Sequence, residues 1–421
     1  MTQFLMTTWD GAGVAPTMTS VARALVERGH GVRVLADPVL RPDFESVGAE
    51  HRSWTRAPHR TVRTRETHFV QDYYADLETG FARMRDRLAV GPAAEFAADV
   101  REELERQPAD ALLNEVLLFG PLIAAEALSV PAIVLNSTVN LVPAQGVPPF
   151  GMGLMPATGE AGRRRDEELG RQMVAAWDEA LPALNAARAE HGLGPLDHVL
   201  DQGRSAARVL VMTSRAFDFM GPLPPTVKHV GPRLDDPVWV GDWSPPPGDE
   251  PLVLVALSSD FQDQEDLLGR IATAMGELPV RALVTTGQGI DPEAVPAPRN
   301  VTVVRAAPHS EVLREAAAVV THCGHGTTIK SLAAGVPLVC LPMGRDQLDI
   351  AARVVHAGAG VRLDASAEPA AIAAATREVM EQPGYRTAAG RIAASIREET
   401  AADQAVAEIE AAVAVSAPVT A

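Results

Sequence analysis

The octapeptide Thr321-His-Cys-Gly-His-Gly-Thr-Thr328 carries the densest chemistry in the chain. It falls where an apolar run gives way to a helical pattern. Gly324 and Gly326 let the backbone come close to a ligand. Thr327 and Thr328 can cap the helix while its free amides face an anion, and His322 adds a ring N–H. Such a set suits a phosphate or a diphosphate; an ordinary Gly-rich strand–helix turn would have the same form. Downstream, Leu341-Pro-Met-Gly-Arg-Asp-Gln-Leu-Asp349 is again a strand end running into a helix. There Asp346 and Gln347 set a carboxylate beside an amide. That pair suits vicinal sugar hydroxyls, although a helix cap with a first-turn carboxylate would read alike.

Both motifs need strands and helices to hold them, and the chain supplies an alternating series. Phe4-Leu-Met-Thr-Thr8 reads as a buried strand, followed by a Gly-containing loop at residues 10–13. Met18, Val21, Ala22 and Leu25 then mark one face of a helix, which Gly29 ends. Val32-Arg-Val-Leu-Ala36 is the next strand, so this is one βαβ unit with parallel strands and a right-handed crossover. Strands follow at 111–114, 132–135 and 209–212, with a helix at 121–128. A long loop at 136–162, rich in Pro, Gly and Met, precedes a helical stretch at 163–190 that opens on a basic cluster, Arg163-Arg-Arg-Asp166.

Residues 221–251 hold Pro222, Pro224, Pro225, Pro232, Pro237 and Pro245-Pro-Pro247. Proline at that density excludes regular helix and interior strand, so a linker is expected. Beyond it strands are expected at 252–257, 281–285, 301–304, 318–321 and 338–341, alternating with helices at 264–277, 310–316, 327–334 and 346–357. The expected class is α/β, with two doubly wound Rossmann-like domains facing a cleft and ligands bound at the carboxyl ends of the strands. The expected boundaries are 1–220, a linker at 221–250, a second domain at 251–390, and a C-terminal helix at 391–421 packing back on the first domain.

Composition narrows the function classes. The chain has 421 residues, long enough for two or three domains, and 47% apolar residues, enough to rule out wholesale disorder. Its net charge of −17 repels nucleic acid while leaving room for a local anion site made of backbone amides. The two cysteines, Cys323 and Cys340, exclude a disulfide framework and a cysteine-rich metal site. The N-terminus lacks a basic segment followed by an apolar run, and nothing is long and apolar enough to span a membrane. A cytoplasmic location is therefore expected, with no membrane or nucleic-acid partner.

His322-Cys-Gly-His-Gly-Thr327, Ala334-Gly-Val-Pro-Leu-Val-Cys-Leu-Pro342 and Arg345-Asp-Gln347 resemble the donor-binding signature of GT-B glycosyltransferases of family 1. More narrowly, the chain resembles actinobacterial macrolide- and antibiotic-type glycosyltransferases. Val230-Gly-Pro-Arg-Leu-Asp-Asp-Pro237, Leu257-Ser-Ser-Asp-Phe-Gln262 and Ala307-Pro-His-Ser-Glu-Val-Leu313 support it. The resemblance implies a donor diphosphate held by His322, Gly324, Gly326 and Thr327 with Ser258 and Ser259. It implies a nucleobase contact at Ala306 and Ala307, and a sugar site at Asp346 and Gln347. It also implies that the first domain binds the acceptor, and that no cofactor and no metal are required; the dTDP- or UDP-linked sugar is a co-substrate.

The first half departs from the family pattern. A His, sometimes an Asp, usually stands on the loop after the first strand as the proton acceptor, with an Asp at the end of a later strand orienting it. Here Gly13 or Val14, depending on the alignment anchor, fills the first position, and Asn114 the second. The usual pair is absent on either alignment. Asp10, on the same loop, and His59, after the third strand, are the expected catalytic substitutes, with Glu115 beside the replaced Asp as a third. The expected activity is inverting transfer of a sugar, a deoxysugar in the first instance, onto a small natural product. The alternative is a noncatalytic donor-binding homologue serving as auxiliary partner of another transferase; a sugar-nucleotide epimerase on the same scaffold is a third reading. The oligomeric state, a homodimer or a complex with an auxiliary protein, is left open.

Overall fold

The computed structural model describes residues 1–11, 13–68, 70, 71 and 76–416. The first unit is built from β1 (Gln3–Thr7), α1 (Val14–Glu27), β2 (Gly31–Ala36), α2 (Arg41–Glu45), β3 (Glu50–Ser53), α3 (Leu77–Met84) and α4 (Ala93–Arg106). It continues with β4 (Ala111–Glu115), α5 (Gly120–Ala127), β5 (Ala132–Asn136), α6 (Glu160–Asp178), α7 (Leu181–Glu190), β6 (Arg208–Val211) and β7 (Val227–His229). The strands form one parallel seven-stranded sheet, ordered β3-β2-β1-β4-β5-β6-β7. Met6 stands opposite both Val34 and Leu113, so the centre of the sheet is aliphatic across three strands. Helices cover both faces, so inner strands such as β4 and β5 are buried along their whole length.

The second unit comprises β8 (Leu252–Ala256), α8 (Glu265–Gly276), β9 (Arg281–Thr285), β10 (Val301–Val304), α9 (His309–Val312), β11 (Ala316–Thr321) and α10 (His325–Ala333). It is completed by β12 (Leu338–Cys340), α11 (Gln347–His356), β13 (Gly360–Arg362), α12 (Pro369–Glu381) and α13 (Pro383–Ala401). Its six strands are parallel, ordered β10-β9-β8-β11-β12-β13, with Val255 opposite Val284 and Val320. In each sheet the order reverses between its first and fourth strands, β1/β4 and β8/β11. That reversal opens a crevice at the carboxyl ends, where ligands of such sheets bind.

Several elements differ from the sequence expectation. β7 lies inside the proline-rich stretch, after Pro224 and Pro225, and is tolerated because it is an edge strand pairing only with β6. The stretch at 163–190 is two helices, with Pro182 in the first turn of α7 starting the second. The helix expected at 310–316 is the single turn α9, because Ala316 already begins β11. A boundary at 390 would cut α13, whose Ala389 and Ile392 pack in the core of the second unit with Leu338. The chain crosses back after α13. Helix α14 (Gln404–Ser416) then buries Val406 and Ile409 against the first sheet, while Glu410 pairs with Arg28 at 2.9 Å and His30 at 3.0 Å. Residues 417–421 of the expected terminal helix lie outside the described residues, as does Ala12 of the loop at 10–13.

Candidate active site in the interdomain cleft

His322 leaves the end of β11 and is buried. Burial and the nearby Arg345 guanidinium lower its pKa to about 3, against a hydrogen bond to the Ala256 carbonyl on the neighbouring β8. The imidazole is therefore neutral, and it bridges the two central strand ends. The next residue, Cys323, sits in the left-handed region with φ 68°, which turns the chain into α10. Gly324 precedes the helix, and a Cβ there would lie 2.8 Å from His322 Nε2. A glycine is thus required for the ring to lie against the turn. A Cβ on Gly326 would meet nothing within 4 Å. The first-turn amides of α10, those of His325, Gly326 and Thr327, have no intrahelical partner.

The rim of this space comes from the neighbouring loops. Ser258 is buried and its hydroxyl accepts from the Asp260 amide at 3.3 Å, while Ser259 is half-buried and packed against Gly287. Ala306 is half-buried beyond β10, and Ala307 points into the core. The loops after β9 and β10 are joined by the Gly287 amide donating to the Arg305 carbonyl at 2.9 Å. Asp346 precedes α11, its carboxyl raised by burial, and Asp346 Oδ2 accepts a 2.7 Å hydrogen bond from Thr138 Oγ1 of the first unit. Gln347 faces its own loop. Its Oε1 accepts from the Met343 and Gly344 amides at 2.8 and 3.1 Å, and its Nε2 donates to Gln262 Oε1 at 2.9 Å. One amide hydrogen is left for any ligand. His325 does not face the turn's free space either; its Nε2 lies 2.9 Å from Thr213 Oγ1 across the cleft.

On the opposite wall, Asp10 is buried and held by two guanidiniums. Arg60 Nη1 lies 3.1 Å from its Oδ2, and Arg63 meets its oxygens at 2.8 to 3.1 Å. Both oxygens of Asp10, the expected base, thus already accept from guanidiniums and anchor Arg60 and Arg63, while the residue also lines the cavity between the walls. Asp37, after β2, accepts from the Asp10 amide at 3.0 Å and the Arg60 amide at 2.6 Å. Burial pushes its carboxyl up to about 7 despite those bonds. It ties together the loops after β1, β2 and β3. His59 is half-buried, with Nδ1 2.8 Å from the Ala57 carbonyl. Asn114 Oδ1 accepts from Thr7 Oγ1 at 2.7 Å, and its Nδ2 donates to the Glu115 and Leu118 carbonyls, so it serves the turn into α5. Glu115 is buried, and that burial raises its carboxyl to about 7.

Three participants escaped sequence reading. Arg345 (φ 55°) acts electrostatically on His322, Asp260 and Asp346 together, which places it at the centre of the donor wall. Asp260 is largely withdrawn from solvent, which opposes its ionisation. His68, Arg345 and Arg60 outweigh that and hold its carboxyl at about 2. Its Oδ2 lies 2.9 Å from His68 Nε2. Thr138 is the third. Arg345 and Asp260 stood in the stretches Arg345-Asp-Gln347 and Leu257-Ser-Ser-Asp-Phe-Gln262 without a role, since their roles arise from contacts between distant segments. Between the walls, Pro16, Arg63, Trp239, Ser259 and Gln288 line a cavity with Asp10. Among the described residues no group of three or more His, Cys, Asp or Glu could hold a metal ion, and no helix is long and apolar enough to cross a membrane.

Comparison with known proteins agrees with this layout. Residues 269–414 match the family described as the erythromycin biosynthesis protein CIII-like C-terminal domain. The chain is 31% identical over 419 residues to 4'-demethylrebeccamycin synthase of Lentzea aerocolonigenes, covering 96% of each chain. The solved glycosyltransferase of kitacinnamycin superposes with a TM-score of 0.75 at 23% identity, covering 98% of both chains. The glycosyltransferase VinC, solved in complex with dTDP, superposes with a TM-score of 0.68 at 17% identity, covering 98% of this chain and 99% of that one.

Proposed function

Because this chain belongs to the GT-B glycosyltransferases of natural-product biosynthesis, we propose that it moves a sugar from a dTDP- or UDP-linked donor onto a small acceptor with inversion. The carrying observation is the turn at His322, Gly324 and Gly326, set between the end of β11 and the start of α10, where a Cβ on Gly326 would meet nothing within 4 Å. That space suits a diphosphate. Backbone amides and the His322 ring would stabilise the charge that grows on the leaving diphosphate, and Arg345 would add a fixed positive charge nearby. Ser258 and Ser259 would meet the same phosphates, with Ala306 and Ala307 at the base edge. Asp346 would take the sugar hydroxyls. No residue of this chain needs to form a covalent intermediate: one in-line displacement breaks the bond from the anomeric carbon to the diphosphate oxygen and inverts that centre. A dTDP-linked donor is in keeping with the dTDP complex of VinC. Exposed Met152 and Met155, on the long loop after β5, offer an apolar and adaptable flank for the acceptor.

The test is turnover by the purified chain alone with dTDP- and UDP-sugars and a panel of phenolic and macrolide acceptors, followed by the anomeric configuration of the product. Transfer without another protein removes the auxiliary-partner alternative. A product that keeps the donor's configuration overturns the single-displacement reading.

A further inference from the structure

Glu115 ends β4, next to β1 in the centre of the first sheet, at the carboxyl end where ligands of such sheets bind. Its carboxylate is 1% exposed and forms no ion pair among the described residues. Oε2 accepts from the Trp9 indole Nε1 at 3.1 Å and from the Leu117 amide at 3.0 Å. The Val116 amide is close enough to lower the carboxyl as well, but it donates to the Leu135 carbonyl at 3.1 Å, which leaves Oε1 without a hydrogen-bond donor among the described residues. An unpaired carboxylate in a dry site is costly, and folded chains rarely keep one without a use. The charged neighbours that quiet Asp10 are absent here. The loop after β1 brings an indole and the turn into α5 brings an amide, and no charged side chain perturbs the group. Trp9 itself is half-buried, its ring over Gly11, where a Cβ would lie 2.8 Å from the ring. Gly11 thus packs against the indole, which stands beside the carboxylate it holds.

We propose that Glu115 is the catalytic base, taking the proton from an acceptor O–H or N–H attached to an aromatic system; this rests on the transferase reading above. The acceptor heteroatom forms its bond to the anomeric carbon as the bond to the diphosphate oxygen breaks, and the electron pair of that bond leaves with the nucleoside diphosphate. The acceptor proton passes to Glu115 Oε1 and is later released to solvent. Oε2 stays on Trp9 and Leu117 throughout, so the carboxylate does not turn. A proton-accepting group near neutrality is matched to a fairly acidic acceptor, while an aliphatic hydroxyl would be served poorly. The signal in the sequence was a Glu directly after the position where the family carries its orienting Asp, and nothing there distinguished it from a buried cap.

Glu115→Gln keeps the shape, and its carbonyl oxygen can still accept from Trp9 and Leu117. With dTDP-glucose or UDP-glucose and a graded set of substituted phenols, this variant should lose about 10²-fold or more in kcat. Affinity for dTDP should be unchanged. Wild-type kcat/KM should rise with pH through about 7 and level off, because the ionised form of Glu115 is the active one; the variant should lack that limb. The loss should shrink as the phenol becomes more acidic. Trp9→Phe separates base from anchor: it removes one hydrogen bond to the carboxylate, so it should move the rise to higher pH with a small loss in rate. A loss below about threefold in Glu115→Gln, a loss independent of phenol acidity, or a Trp9→Phe variant as damaged as Glu115→Gln overturns the assignment. His59→Ala in parallel shows whether the imidazole does this work instead; a loss there larger than in Glu115→Gln also overturns it. If the wild type turns over and Glu115→Gln matches it, only Glu115 falls. If the wild type transfers to nothing, the transferase reading falls and this assignment with it.

Discussion

Thr138 Oγ1, on the loop after β5, donates a 2.7 Å hydrogen bond to Asp346 Oδ2 at the start of α11. The two residues belong to opposite walls of the cleft, so the carboxylate expected to hold the sugar is oriented by the unit expected to hold the acceptor. Thr138→Val keeps the shape and removes the bond. Losing a hydrogen bond to a charged group is worth about 1.5–3 kcal/mol, so kcat/KM for the nucleotide sugar should fall roughly ten- to hundredfold, while affinity for free dTDP stays as it was. Burial already raises the Asp346 carboxyl and the Thr138 bond opposes that rise. Its removal should therefore move the acidic limb of the rate profile to higher pH. Equal losses in sugar-nucleotide and dTDP affinity would mark the contact as a structural cap.

His322 is neutral in the free protein, its pKa lowered to about 3 chiefly by burial. A neutral ring hydrogen-bonded to the Ala256 carbonyl has no second N–H to offer. A diphosphate placed over the turn would favour the doubly protonated ring, so donor binding should take up protons, increasingly as pH falls from 7 to 5.5. Calorimetry in two buffers of different ionisation enthalpy reads that number directly. His322→Ala should abolish the uptake and weaken dTDP binding by about 1.5–3 kcal/mol. Unchanged affinity would move the diphosphate elsewhere.

A second connection between the units is ionic and fully buried. Asp218 accepts from Arg353 Nε at 2.8 Å and from the Asn140 amide at 2.8 Å, and its Oδ2 lies 2.9 Å from His229 Nε2. Arg353 in turn lies 4.2 Å over the Phe219 ring. Removing one member of a buried pair leaves an uncompensated charge and costs about 3–5 kcal/mol, so Asp218→Ala should lower the unfolding midpoint by several degrees. Burial raises the Asp218 carboxyl, but His229, Arg353 and the Asn140 amide outweigh it and hold the group below its ordinary value. A depressed folded value means the stabilisation is complete above the unfolded value near about 3.9 and is lost as pH falls further. Wild type should therefore show an acid-labile increment below about pH 4 that the variant lacks.

These cross-cleft contacts mark the limit of what the chain alone discloses. The parallel sheets could be read because their central strands are apolar runs bounded by turns, as with Leu252-Val-Leu-Val-Ala256. The donor turn could be read because its glycines and histidine are neighbours in sequence. β7 could not, since three residues between prolines carry no period. Thr138 and Asp346 are 208 residues apart, and Arg63 reaches Asp10 over 53; no local pattern records such pairings. Gln347 shows the converse. Its type suggested a sugar ligand, while its actual partners are the two loop amides it closes and Gln262.

Gly326 gives the sharpest separation of site from scaffold. It lies in the first turn of α10, and a Cβ added there would meet nothing within 4 Å. Alanine is the better helix former by about 0.8–1.0 kcal/mol, so Gly326→Ala should leave stability unchanged or slightly raised in thermal unfolding. The added methyl would nevertheless occupy the space above the free amides, where the diphosphate is placed. Affinity for dTDP should drop at least tenfold in calorimetry. Gly324→Ala is the contrasting case, because its Cβ would press on the His322 ring at 2.8 to 2.9 Å and should cost both stability and affinity. If Gly326→Ala binds dTDP as tightly as wild type, the anion does not lie over this helix start, and the donor wall must be sought along the loops after β9 and β10 instead.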